Sequence, residues 1–252
     1  MTLDCLYIVM PAYNEAANIA RVVSGWYPVI ERLGGESRLV VLDDGSSDAT
    51  AELLRELART RPQLVALSRG NRGHGATVRE LYRYALDHGA GYVFQTDSDG
   101  QTDPAEFEAF WEARGGYDLV SGVRTARQDG AGRLVVTRVL RTVVRACFHV
   151  SIPDANAPFR LMSASSLERA LALVPEGYEL ANVALSVAYH KLGFRVLELP
   201  IAFKPRQGGV NSINLPRIAA MGARALASFV ALDREMNRAV ARESLREGGE
   251  RR

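Results

Sequence analysis

Short apolar runs recur along the chain and alternate with amphipathic segments. The runs are Leu6–Met10, Leu39–Leu42, Leu64–Leu67, Tyr92–Phe94 and Val196–Ile201. Near-continuous apolar strands that alternate with helices are typical of a parallel sheet with both faces covered. The pattern therefore predicts an α/β fold with a mostly parallel central sheet and helices on both faces.

Three amphipathic helices are predicted between these strands. Their apolar positions follow helical spacing: Ile19, Val22, Val23 and Trp26; Leu53, Leu54 and Leu57; Val78, Leu81 and Ala85. Asn14 is placed as the N-cap of the first helix. Gly73 and Gly75 open the third, and Gly89 closes it. The carboxyl ends of the strands are followed by polar loops, which is where open α/β sheets bind their ligands.

The regular alternation weakens beyond about Gly122. Arg127–Gly132 is polar and contains glycine, so we expect a mobile loop there. Pro216–Glu235 predicts one further helix, and residues 247–252 predict a disordered tail. No stretch resembles a linker, so we expect one domain over residues 1–246, with halves of about 1–122 and 123–246.

The composition is that of an ordinary globular protein, with 47% hydrophobic and 24% charged residues. The formal net charge of +2 is too balanced for an extended nucleic-acid surface. Cys5 and Cys147 lie far apart, which favours a reducing compartment, and we expect a cytoplasmic location. We expect neither a signal peptide nor a membrane-spanning helix, because no run of 18 apolar residues occurs.

One loop carries candidate metal chemistry. Asp97-Ser98-Asp99-Gly100-Gln101 places two carboxylates two residues apart, with an amide following, after an apolar run. Mg²⁺ and Mn²⁺ take a few such oxygen ligands and fill their other positions with substrate phosphates. A surface turn built from Asp, Ser and Gly is the plain structural alternative.

Other segments along the chain help to interpret this carboxylate loop. They are VMPAYNE (Val9–Glu15), VLDDGSSD (Val41–Asp48), NRGHGATVR (Asn71–Arg79), TDSDGQTDP (Thr96–Pro104), SGVR (Ser121–Arg124), DANAPFRLM (Asp154–Met162) and GFRVLELPIAFKPR (Gly193–Arg206). Together they resemble inverting glycosyltransferases of the GT-A, Rossmann-like fold, in the large family 2 that includes dolichyl-phosphate mannose synthases. The resemblance covers about four fifths of the chain. It implies a nucleotide-sugar half before residue 122 and an acceptor half after it.

The resemblance implies a role for each matching position. The residues for a UDP- or GDP-sugar donor would be Pro11, Ala12, Tyr13, Glu15, Asp43, Asp97 and Arg206. Asp99 and Gln101 would hold Mg²⁺ or Mn²⁺ on the diphosphate, and Arg206 would lie close to that diphosphate. Asp97 and Asp99 would be catalytic, together with Arg124 and Arg138. Structural alternatives are a packed loop aromatic for Tyr13 and capping or turn roles for Asp44 and Asp48.

The acceptor class is inferred from a catalytic acidic residue that the chain lacks. In many relatives that transfer to a hydroxyl, an acid stands where this chain has Asn182, and an amide cannot take a proton. A phosphate acceptor needs no base because it is already anionic. Arg124, Arg138 and Thr142 match the acceptor-phosphate positions of polyprenyl-phosphate relatives. Departures from that group are Val183, His74 and the absence of a lysine from Gly209–Ser212.

Three hypotheses follow. The first is a metal-dependent inverting glycosyltransferase with a polyprenyl-phosphate acceptor. The second transfers the same sugar to a hydroxyl, with Asp154 or Glu179 as base, although Asp154 could instead hold Arg160. The third is a non-catalytic sugar-nucleotide-binding subunit of a membrane partner.

A lipid acceptor would place the protein at the inner face of a membrane, alone, as a homo-oligomer or with a membrane-protein partner. The predicted C-terminal helix carries Arg217, Arg224 and Arg242 opposite Met221, Phe229 and Leu232. We favour a helix that packs on the protein over one that lies in a membrane interface.

Overall fold

The computed structural model describes residues 5–127, 131–204 and 226–242. Seven strands form one sheet: β1 Leu6–Ala12, β2 Arg38–Asp44, β3 Leu64–Arg69, β4 Tyr92–Gln95, β5 Leu119–Arg127, β6 Arg160–Ser163 and β7 Val196–Phe203. Their order is β3-β2-β1-β4-β6-β5-β7. Among the described strands, only β6 pairs antiparallel with its neighbours, β4 and β5. The predicted mostly parallel sheet is confirmed.

Helices cover both faces of this sheet. They are α1 Ile19–Leu33, α2 Thr50–Arg59, α3 His74–Asp87, α4 Phe107–Ala113, α5 Ala131–Phe148, α6 Ala164–Ala172, α7 Ala181–Lys191 and a helix over residues 226–242, here α8. A short 3₁₀ turn, Pro104–Glu106, precedes α4. None of these helices is long and apolar enough to cross a membrane.

Strand side chains alternate between two apolar cores. Ile8 and Met10 of β1 pack with α1, α2 and α4, whereas Tyr7 and Val9 pack with α3 and α5–α8. This is the period-2 alternation of a pleated strand that is buried on both faces. On the first side, aromatic rings of Trp26, Phe94 and Phe159 pack within 6 Å of one another, centroid to centroid.

The start of α1 differs from the prediction. Asn14 is not its N-cap: the helix begins at Ile19 after Asn18, and Asn14 adopts a left-handed φ of 54°. The side chain of Asn14 instead accepts a hydrogen bond from the Ser47 amide, 2.9 Å away. The polar side chain thus joins two loops rather than capping a helix, a partner choice that local spacing does not show.

The second half is more regular than its sequence pattern suggests. Of the expected loop Arg127–Gly132, Arg127 belongs to β5 and Ala131 and Gly132 belong to α5, while residues 128–130 lie outside the described residues. Strands β5 and β6 were not predicted. β6 is only four residues long, too short for its period to stand out from a turn.

The C-terminal helix packs on the protein where it is described. Part of the predicted Pro216–Glu235 helix lies outside the described residues, and α8 continues past Glu235 to residue 242. Phe229, Leu232 and Met236 are buried in the core that α3 and α7 share. Phe229 packs against Phe148 of α5, with ring centroids 5.2 Å apart. The apolar side of this part of the helix therefore packs on the protein, as favoured, and its opposite side is exposed.

Candidate active site

A cleft of about 300 Å³ opens at the carboxyl ends of β1, β2 and β4. Its lining residues are Pro11, Ala12, Tyr13, Glu15, Asp44, Asn71, Gly73, His74, Thr77, Asp97, Ser98 and Asp99. Parallel strands bring the loops that follow them to one edge, which is why segments distant in sequence meet here. The amino terminus of α3 completes the wall.

The loop after β1 is held by the loop after β2. The Asn14 amide donates to Ser46 Oγ at 2.8 Å, and the Glu15 amide donates to Thr50 Oγ1 at 2.8 Å. The buried Glu15 carboxylate accepts a hydrogen bond from Asn18 Nδ2, 2.8 Å away. Tyr13 is 49% exposed, so its ring is not a packed loop aromatic. The ring is available to a ligand in the cleft.

The two adjacent aspartates at the end of β2 have different positions. Asp43 is buried, and its carboxylate accepts from Ser68 Oγ at 2.9 Å and from the Ser46 amide at 3.3 Å. Asp44 lines the cleft, and its oxygens accept from the amides of Arg72 and Gly73. Asp44 therefore fixes the turn before α3, in line with the capping or turn role given as its structural alternative, and it also lines the cleft.

Asp48 bonds the start of α2 from the turn before the helix, whose N-cap residue is Ala49. Its carboxylate accepts hydrogen bonds from the amides of Thr50 and Ala16 at 3.0 and 3.1 Å. Burial acts to raise the pKa of Asp48, but the hydrogen bonds from Thr50 outweigh it and the net pKa is lowered.

The carboxylate loop presents oxygens to the cleft. Asp97 and Asp99 both line it, and Ser98 Oγ ties the loop to β1 through the Pro11 carbonyl at 2.8 Å. Asp97 Oδ1 is buried without a hydrogen-bond partner among the described residues. Buried carboxylate oxygens are normally satisfied, so this atom points to a ligand or ordered water.

Gln101 is clamped behind the loop by Lys204. Gln101 Nε2 donates to the Lys204 carbonyl at 2.8 Å, and the Lys204 amide donates to the Gln101 carbonyl at 2.8 Å. Lys204 Nζ also contacts Asp103 Oδ2 at 2.7 Å, a bond that holds the pKa of Asp103 below its ordinary value. Because the amide nitrogen of Gln101 is engaged, its Oε1 remains as the acceptor atom.

The two carboxylates that line the cleft fit a divalent cation that is shared with a substrate, whereas Gln101 is buried and does not line the cleft. Within the described ranges, no group of three or more His, Cys, Asp or Glu side chains is arranged around a metal position. The Asp97 and Asp99 carboxylates and the Gln101 amide oxygen are hard oxygen donors. Mg²⁺ is commonly held by one or two carboxylates, with phosphates and water completing the shell.

Arg124 is paired with Asp154, on the acceptor side predicted from the sequence. Arg124 Nε and Nη2 donate to the two carboxylate oxygens of Asp154 at 2.6 and 2.7 Å. The guanidinium lies over the Phe203 ring, 5.1 Å from its centroid. A bidentate pair of this kind fixes the arginine in one orientation.

Asp154 forms its bidentate pair with Arg124 and interacts with Arg160 electrostatically, while other groups also hold the Arg160 guanidinium. Arg160 is fully buried in β6 and donates to the carbonyls of Ala155, Ala157 and Asn182 and to Ser186 Oγ. Burial lowers the pKa of Arg160. Its guanidinium thus joins the 154–157 loop to α7, a role that sequence inspection missed.

The remaining predicted residues lie elsewhere. Arg138 and Thr142 are exposed on α5, where Thr142 Oγ1 donates to the Arg138 carbonyl at 3.0 Å, and neither lines the cleft. Asn182 is buried in the first turn of α7, and its Oδ1 has no partner among the described residues. Arg206 lies outside the described residues. Asn71, His74 and Thr77 were not assigned to the site from sequence, although a helix start beside a strand end was the available signal.

Residues 7–171 match the model of "Glycosyl transferase family 2", and the chain belongs to that family. The predicted family and the class of protein, a glycosyltransferase, are confirmed. The chain is 27% identical over 221 residues to an undecaprenyl-phosphate 4-deoxy-4-formamido-L-arabinose transferase of Edwardsiella ictaluri, covering 86% of this chain and 65% of that protein. Its counterpart from Pseudomonas aeruginosa strain LESB58 is 30% identical over 195 residues, 77% of this chain and 57% of that protein. The chain thus spans less than two thirds of the length of these two relatives.

Two further similarities cover more of the matched proteins. Polyprenol monophosphomannose synthase of Mycolicibacterium smegmatis is 29% identical over 217 residues, 82% of this chain and 80% of that protein. Glucosyl-3-phosphoglycerate synthase of Mycobacterium tuberculosis, solved with Mn²⁺, UDP and glucosyl-3-phosphoglycerate, superposes with a TM-score of 0.67 at 21% identity. That match covers 91% of this chain and 80% of the other. It shows that the two proteins share a fold.

Proposed function

We propose that this protein transfers a sugar from a UDP- or GDP-sugar to a polyprenyl phosphate, with inversion at the anomeric carbon. The observation that carries the proposal is the cleft in which Asp97 and Asp99 face the β1 loop and the amino terminus of α3. The names of the family 2 relatives support the lipid-phosphate acceptor.

The cleft suits a nucleoside diphosphate. The exposed Tyr13 ring offers a stacking surface for the base or ribose, and the amides at the start of α3 favour a negatively charged group. Asp99 and Gln101 Oε1 would hold Mg²⁺ or Mn²⁺. The cation would offset the charge that the diphosphate gains as its bond to the sugar breaks.

Transfer to a phosphate needs no proton acceptor. An oxygen of the acceptor phosphate forms the new bond to the anomeric carbon while the nucleoside diphosphate leaves with the electrons of the old one. Arg124 would bind the acceptor, with Asp154 positioning its guanidinium. Arg138 and Thr142 are proposed to act on the same phosphate from α5.

The direct experiment is transfer from a panel of UDP- and GDP-sugars to undecaprenyl phosphate in detergent, with Mn²⁺ or with EDTA. We expect a lipid-linked sugar and one equivalent of nucleoside diphosphate, and loss of both with EDTA. Donor binding without any turnover would instead favour the non-catalytic subunit. Equal turnover with EDTA would remove the metal from the proposal.

Asp154 separates the phosphate acceptor from a hydroxyl acceptor. Asp154→Asn should raise the acceptor KM and leave nucleotide affinity unchanged, because Arg124 loses its charged partner while the cleft stays intact. Turnover with a phosphate acceptor should show no essential base in its pH profile. A hydroxyl acceptor would be established instead if the protein transfers the sugar to a soluble hydroxyl, if Asp154→Asn or Glu179→Gln abolishes that transfer, and if the pH profile has a basic limb.

A further inference from the structure

Helix α5 has an exposed face that is almost purely basic. Ala131–Phe148 contains four arginines and no Asp or Glu, in a chain whose net charge is only +2. Arg138, Arg141, Thr142 and Arg145 are exposed at i, i+3, i+4 and i+7 spacing, which places them on one side of the helix. The opposite side, with Val144 and Phe148, is buried.

Helix α8 continues this pattern beside α5. Leu226, Val230, Arg234, Arg238 and Arg242 recur every four residues and are all exposed. The described part of α8 has two acidic residues: Asp233 faces inward and pairs with Lys191 at 2.7 Å, whereas Glu235 is exposed beside Arg234. Helices α5 and α8 pack against each other through Phe148 and Phe229, so their exposed faces lie on either side of this ring contact.

Exposed aliphatic side chains accompany the arginines. Five large hydrophobic side chains are exposed in the described part of the chain, and three of them lie on these helices: Val139 at 56%, Leu226 at 46% and Val230 at 39%. No carboxylate of the described residues lies within 4.0 Å of the Arg138, Arg145 or Arg238 guanidinium. Arg141 is partly balanced, because Glu198 of β7 lies near enough to interact with it electrostatically.

We propose that the exposed faces of α5 and α8 form a docking surface for an anionic lipid bilayer. Arginines that attract acidic headgroups, interleaved with aliphatic side chains that enter the interface, are the features of interfacial helices. A purely polar acidic partner would leave the three aliphatic side chains without a role. The inference rests on the proposed lipid acceptor and adds the surface by which the enzyme reaches it.

The test is sedimentation of the full chain with vesicles of phosphatidylcholine, with and without phosphatidylglycerol, in the absence of polyprenyl phosphate and nucleotide. We expect binding only with phosphatidylglycerol, weakened by salt. Arg145→Glu/Arg238→Glu should lower the partition coefficient by at least about tenfold. Val139→Ser/Val230→Ser should lower it at every salt concentration.

Arg55→Glu/Arg59→Glu is the matched control, because both arginines are exposed on α2, which packs on the opposite face of the sheet. It should bind like the wild type, and all variants should keep the wild-type melting temperature. Absent wild-type binding, or equal loss in the control, would overturn the proposal. Binding to heparin but not to vesicles would assign the face to a soluble polyanion. If vesicle binding fails but the protein still turns over a short, soluble polyprenyl phosphate, the proposed function stands and only this docking surface is rejected.

Discussion

Asp99 is the side chain on which the proposed donor chemistry most depends. Its carboxylate lines the cleft and accepts a hydrogen bond from the backbone N–H of Gln101 at 3.1 Å. Asp99→Ala should lower turnover by about two to three orders of magnitude, because the diphosphate loses a group that holds its counter-charge. The fold should survive, since no core cavity is made. Steady-state rates and thermal melts check both parts.

Asp87→Ala is a suitable control, because Asp87 is exposed at the carboxyl end of α3, away from the cleft. It should keep the wild-type rate. An Asp99→Ala variant with near wild-type turnover would contradict the proposed site, and one that unfolds would assign Asp99 a structural role.

The Asp103–Lys204 pair gives a pH-dependent prediction. The bond from Lys204 lowers the pKa of Asp103 in the folded protein, so the ionised form stabilises folding. That stabilisation is present above the unfolded pKa of about 3.9 and is lost as the pH falls through the lower folded value. Asp103→Asn should therefore cost up to about 1 kcal/mol at pH 7, and the difference should shrink towards pH 3. Urea unfolding at both pH values measures it, and a constant difference would contradict the linkage.

At the scale of elements, the amino terminus of α3 is fixed by close packing. Gly75 lies against the backbone of Tyr178 and Glu179, and a Cβ on Gly75 would lie 2.9 Å from the Glu179 carbonyl oxygen. Gly-to-Ala changes in helices are normally favourable by about 1 kcal/mol. Here we expect the reverse, a loss of about 1 to 3 kcal/mol from overpacking.

The same Gly75→Ala change should weaken nucleotide binding, because Gly73 and His74 at this terminus line the cleft. Gly70→Ala is the control, since no atom of the described residues lies within 4 Å of its would-be Cβ and its φ is not positive. Titration calorimetry and urea unfolding of both variants measure the two effects. An equally small effect in both would mean that α3 can shift away from residues 178–179 without cost.

For the whole molecule, donor and metal should stabilise the fold together. A ligand at 100 times its Kd that binds only the native state adds about 2.7 kcal/mol to the free energy of unfolding. For a chain of this size that corresponds to a rise of about 5 to 10 °C in the melting temperature. We expect this rise with UDP or GDP plus Mn²⁺, little with either alone, and none in Asp99→Ala. An equal rise in EDTA would show nucleotide binding that does not use the cation.

The features that depend on local periodicity and on chain order could be predicted from the amino-acid pattern. Apolar runs predicted β1–β4 and β7, because a strand buried on both faces needs a continuous apolar segment. The helical spacing predicted the buried residues of α1 and α3. Asp97 and Asp99 could be placed at the cleft, because a loop that follows a parallel strand emerges at the ligand-binding edge. The nucleotide and acceptor roles of individual residues, and the division near residue 122, stay predictions.

Packing in three dimensions brings together side chains that are far apart along the chain. Arg124 pairs with Asp154 30 residues away, and Gln101 bonds to Lys204 103 residues away. Spacing along the chain does not indicate such partners, because ion pairs and hydrogen bonds act over about 3 Å in space, whatever the separation in sequence. For the same reason, the sequence does not show which of Asp43 and Asp44 lines the cleft. Neighbouring side chains on a strand point to opposite faces, and only the surroundings of the sheet show that Asp44 lines the cleft.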